Sequence, residues 1–122
     1  MKKLLLLTVV AFFILFYNSC TKDKTPVPAD CTQTDTLNTY TKSVKEIMDN
    51  NCATVGCHDA ATAFSGVRLD TYENTVDAAK NQPKFFCVTD HSCTPLMPWL
   101  MPKLADSLIT KIQVWKANCY AQ

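Results

Sequence analysis

The sequence predicts an all-α domain, and three observations carry that prediction. Two segments place apolar residues at helical spacing with charged residues between them. No run of β-branched residues alternates with a period of two, as a half-buried strand would require. Pro83, Pro95, Pro98 and Pro102 exclude a long helix from the stretch between the last two helical patterns.

The chain opens with Lys2 and Lys3, followed by an apolar run from Leu4 to Tyr17. That run is shorter than the roughly 20 residues a spanning helix needs. It has the form of a secretory signal that is removed from the mature protein. Ser19 and Cys20 close it in the manner of a bacterial lipoprotein signal, which makes residues 1–19 the signal and Cys20 the lipid-bearing N-terminus. Residues 20–38 are polar, rich in Thr and Pro, and lack a hydrophobic period, so they read as a lipidated flexible tether. Lys22 and Asp23 resemble the charged signals that send some lipoproteins to the cell surface. The expected location is the cell envelope, lipid-anchored at the outer membrane or cell surface, with the periplasmic side also open.

Residues 39–122 then form one domain. A core of that size is marginal alone and needs staples such as disulfides or a cofactor. Removing Lys2 and Lys3 with the signal leaves ten basic residues against eleven acidic ones. A nucleic-acid partner would show as a basic patch or stripe, so that class is excluded.

The first helix is read in "TKSVKEIMDNNC". Val44, Ile47, Met48 and Cys52 share one face, and Thr41 or Ser43 is placed to cap it, with Glu46 completing a capping box. A second, shorter helix follows in "LDTYENTVDAAK", capped by Asp70 or Thr71, with Tyr72, Val76 and Ala79 inward. The intervening "DAATAFSGVR" reads as a loop. The strongest pattern is "LADSLITKIQVWKANC", where Leu108, Ile112 and Trp115 recur at helical spacing, Ile109 widens the stripe, and Asp106 or Ser107 is the expected cap.

Seven cysteines occur, at 20, 31, 52, 57, 87, 93 and 119. With Cys20 lipidated, six remain in an oxidising compartment where pairing is expected. One allocation leaves Cys52 and Cys57 for a cofactor and pairs Cys87 with Cys93 and Cys31 with Cys119. The other makes three disulfides. Parity does not choose between them. Zinc is disfavoured, because Cys52, Cys57 and His58 lack a matching second pair.

The chemistry concentrates in "NCATVGCHDA", residues 51–60, where His58 directly follows Cys57 and four residues separate Cys57 from Cys52. Covalent haem attachment needs two thiols for the porphyrin vinyl groups and a histidine directly after the second. The usual spacer is two residues, but a bulged loop with Gly56 at positive φ can accommodate four.

With "IMDNNCATVGCH", "VRLDTYENTV", "MPWLMPKL" and "SLITKIQVWKANC" in this order, the chain resembles small exported mono-haem cytochromes of the class I cytochrome c type. The likeness spans about residues 43–118, and the longer spacer departs from the family pattern. It implies a bundle of about three helices around one covalent haem c, with the first and last helices in contact. Carried over by position, Cys52 and Cys57 would form the thioethers and His58 would be the proximal iron ligand. Met97 would be the distal ligand, with Met101 as the alternative and His91 after them.

That ligation fills both axial positions and implies one-electron transfer rather than an enzyme. The implied partners are redox proteins of the cell envelope, with the membrane reached through the lipid anchor. The contrasting reading is a haem-free, disulfide-stapled surface lipoprotein that acts as a binding or interaction module.

Overall fold

Helices supply every regular element of the computed structural model, which describes residues 31–122, and no strand occurs among them. The all-α reading therefore holds for the described part. The signal, Cys20 and the first part of the tether lie outside the described residues.

A π-helical turn, Tyr40–Val44, runs directly into α1, Lys45–Asn51. Its cap is Thr39, whose hydroxyl accepts from the Lys42 amide at 3.4 Å. The cap expected at Thr41 or Ser43 is thus displaced towards the N-terminus. Ser43 is buried and donates its hydroxyl to the Thr39 carbonyl at 3.0 Å, so it is part of the packed face rather than a cap. Val44, Ile47 and Met48 are buried as their spacing requires.

After a 3₁₀ turn at Phe64–Gly66, α2 spans Tyr72–Asn81. Thr71 caps it, accepting from the Asn74 amide at 3.2 Å. The inward face is rotated slightly from the expected one. Thr75, Ala78 and Ala79 are buried, while Tyr72 and Val76 are half-buried. Thr75 is tolerated there because its hydroxyl donates back to the Thr71 carbonyl at 2.8 Å.

A five-residue helix, α3, Phe85–Thr89, fits between prolines. The terminal helix α4 spans Asp106–Ala117 and buries Ile109, Ile112 and Trp115. No side chain caps it. Asp106 sits inside the first turn and pairs with Lys103 at 2.8 Å, so neither Asp106 nor Ser107 is the cap.

The core is the meeting point of the first and last helical elements. Tyr40 packs edge-on to Tyr72, with ring centroids 5.3 Å apart, and tilted against Trp115 at 6.0 Å. The Tyr40 amide donates to the Ala121 carbonyl at 2.8 Å, and the Trp115 indole donates to the same oxygen at 3.0 Å. Trp115, Met48, Ile112 and Val44 are fully buried around this contact.

One disulfide closes a short loop and a second joins the ends of the described chain. Cys87 pairs with Cys93, their Cα atoms 5.2 Å apart, and Cys31 pairs with Cys119, at 5.7 Å. These are the pairs the sequence suggested. Residues 31–38, expected as part of the tether, carry no helix but are fastened to the end of α4 by Cys119 and by Asn118.

Candidate functional site

Helix α1 delivers the chain into the cysteine–histidine loop. The Cys52 and Ala53 amides both donate to the Met48 carbonyl, at 2.9 and 2.7 Å, which ends the helix. The loop then closes on itself: the Cys57 amide donates to the Thr54 carbonyl at 2.9 Å, and the His58 amide returns to the Cys52 carbonyl at 3.1 Å. Gly56 takes φ +85° at the bulge, with open space where a Cβ would stand. That conformation strains any L side chain, which accounts for glycine at this position.

Beyond the loop, Phe64 and Leu69 donate their amides to the carbonyls of Cys57 and His58, each at 2.9 Å. The chain thus folds back over the motif. His58 Nδ1 lies 3.0 Å from the Val67 carbonyl oxygen, and its ring meets the edge of Phe64 at 6.2 Å. A carbonyl only accepts, so Nδ1 carries the proton of that bond, and in the neutral ring the lone pair is left on Nε2.

Cys52 and Cys57 are the two free cysteines of the described chain. Cys57 is exposed. Cys52 is half-buried with a desolvated sulfur, and burial pushes its thiol up to about 12. Cys57 adds a smaller push in the same direction. The motif therefore brings Cys52, Cys57 and His58 into one loop, with the cysteines unpaired.

Met97 and Met101 belong to a separate loop. Met97 is half-buried: its amide donates to the Val88 carbonyl at 3.0 Å, and its carbonyl accepts from His91 Nε2 at 3.0 Å. His91 is thereby committed to supporting this loop. An open groove of about 630 Å³ is lined wholly by residues between Thr94 and Met101; Met101 contributes to it and Met97 does not. Nothing from residues 52–58 lines this groove, so it does not join the two halves of the expected ligand set.

The metal-binding expectation is corrected on this point. Among the described residues no group of three or more His, Cys, Asp or Glu side chains is placed to hold a metal ion. The physical reason is local: one thiol is desolvated and the other exposed, and His91 lies in a separate loop, turned to the Met97 carbonyl.

Two partners of the motif escaped the sequence reading. Phe64 was visible as the one aromatic residue in a small-residue loop. The Val67 carbonyl carried no signal, because any residue type offers one.

Among the described residues no helix is long and apolar enough to cross a membrane. Comparisons with protein-family models, curated proteins and solved structures find no match. The class defined by fold and site is thus a small all-α, disulfide-stapled domain that carries two free thiols beside an oriented imidazole.

Proposed function

We propose that this protein is a membrane-anchored one-electron carrier with one haem c, attached through Cys52 and Cys57. The observation that carries this reading is the hydrogen bond from His58 Nδ1 to the Val67 carbonyl, directly after two unpaired cysteines. Histidines that ligate a metal donate their other ring N–H to a carbonyl, carboxylate or water, which fixes ring orientation and tautomer. The two other pairs of described cysteines are closed as disulfides, and the pair left open is the one preceding the histidine.

The donor set fits such a group: two thiols for the thioethers and an imidazole with Nε2 available. When bound, the haem supplies a reversible one-electron couple. The chain's part is to fix the imidazole through Val67, to cover the motif with Phe64 and to hold the loop closed through the His58 amide. Met97 would be the second side chain to hold the group, presented by a separate loop whose main chain is fixed on both sides by Val88 and His91.

The haem-free surface lipoprotein is the second reading, and one observation favours it: two disulfides staple the domain. Export of the chain in a host with cytochrome c maturation enzymes separates the two. A pyridine haemochrome spectrum and a mass gain of one haem that survives denaturation are expected. A colourless product whose mass fits three disulfides overturns the carrier reading and favours the second.

A further inference from the structure

We infer that the loop ending Leu96–Met101 is a lipid-docking element that seats the anchored domain on the bilayer surface. Its tip carries four large apolar side chains in the open: Leu96 is 45% exposed, Trp99 59%, Leu100 90% and Met101 61%. A soluble face has no use for such a cluster, whereas a headgroup interface accepts tryptophan and aliphatic side chains together. The indole is suited to that depth because it has an apolar body and one N–H donor.

The loop is built to hold this shape. The Cys87–Cys93 disulfide closes its base, Lys84 donates to the Thr94 carbonyl at 3.0 Å, and His91 and Val88 hold Met97. No acidic residue lies between His91 and Ala105, and the borders balance: Asp90 and Asp106 stand against Lys84 and Lys103, with Lys103 paired to Asp106. The tip is therefore near-neutral and meets the bilayer through its apolar side chains.

The length of chain outside the described structure selects a bilayer as the occupant. Cys31 is fixed to Cys119, so the tether counted from the proposed lipid at Cys20 is eleven residues, 20–30, rather than the nineteen of 20–38. Fully extended, it reaches about 40 Å at most. The domain is therefore kept at a height where an apolar loop meets lipid continually. The inference rests on the lipid-anchor reading and is independent of haem.

The test uses the full, processed chain in phosphatidylethanolamine/phosphatidylglycerol vesicles, with and without brominated acyl chains. Trp115 is completely buried, so Trp99 is the tryptophan exposed to a lipid-borne quencher. The expected result is lower emission in brominated vesicles. Trp99→Phe abolishes that difference, and Leu100→Asp reduces it at least about twofold while the lipid still holds the chain on the vesicle. Because the readout compares two vesicle types, haem quenching cancels. Equal emission in both vesicles overturns the inference, as does failure of the chain to sediment with them. A concentration-dependent dimer that Leu100→Asp dissociates, with no bromine effect, assigns the face to a second copy and also overturns it.

Discussion

Asn118 grips Asp35 from both sides across almost the whole described chain. Its side-chain amide donates to the Asp35 carbonyl at 2.6 Å, and its Oδ1 accepts from the Asp35 amide at 3.1 Å. The same amide also reaches the Asn38 carbonyl at 3.2 Å. Asn118 is buried, so removing its side chain leaves those groups without the partners folding gave them. At about 1 kcal/mol net for each bond, Asn118→Ala should cost about 2–3 kcal/mol. Urea unfolding monitored by circular dichroism should show a lower midpoint with an unchanged slope. An unaltered midpoint would show that residues 31–38 are held by the disulfide alone.

The two disulfides should contribute unequally. Cys31–Cys119 closes a separation of 88 residues and Cys87–Cys93 one of 6. In the chain-entropy account the longer closure removes more freedom from the unfolded chain, roughly 4–5 kcal/mol against about 2 kcal/mol. Replacing Cys31 and Cys119 with alanine should therefore lower the denaturation midpoint more than replacing Cys87 and Cys93. The reverse order would mean that rigidity of the apolar loop, rather than chain closure, dominates.

Helix α4 was legible because Ile109, Ile112 and Trp115 bury a continuous stripe, and spacing alone reveals such a stripe. The same holds for Val44, Ile47 and Met48. Polar residues that fill core positions were not legible, since Thr75, Ser43 and Asn118 are buried only because particular carbonyls lie opposite them. Helix starts were legible in part: Thr71 caps as expected, whereas Thr39 was not foreseen as a cap and Asp106 is drawn off to Lys103. At the site, the grouping of Cys52, Cys57 and His58 could be read from adjacency in the chain. The oxygen that orients His58 could not, because it belongs to the main chain of Val67.

Asp70 gives a prediction at acidic pH. Arg68 holds it with two bonds, Nε to Oδ1 at 3.1 Å and Nη2 to Oδ2 at 2.6 Å, and Asn74 donates to Oδ1 at 2.9 Å. The guanidinium contributes most to lowering the carboxyl to about 2 from the ordinary 3.8. The folded value lies below the unfolded one, so the stability linked to this group is fully present above about 3.8. It is lost as pH falls through about 2. A carboxyl titration by NMR should place Asp70 among the most acidic side chains, and Arg68→Ala should move it upward. If Arg68→Ala leaves the titration in place, the amide of Asn74 accounts for the shift instead.

Cys52 and Cys57 should differ sharply as nucleophiles in chain that has not met maturation enzymes. The thiolate is the reactive species, and at pH 8 a thiol at about 12 is ionised in only about one molecule in ten thousand. Cys57 is exposed and should alkylate with iodoacetamide first, while Cys52 should follow slowly and gain about tenfold in rate per pH unit up to pH 11. The raised value also links to stability. The folded form keeps its proton longer than the unfolded one, so stability is complete below about 9 and falls as pH rises towards 12. Cys52→Ala should remove that part of the alkaline destabilisation. Peptide mapping at pH 8 that finds both cysteines labelled at one rate would refute the buried placement of Cys52. Two thiols that both resist alkylation in reducing buffer, after export through the maturation pathway, would be the mark of thioether bonds at both positions.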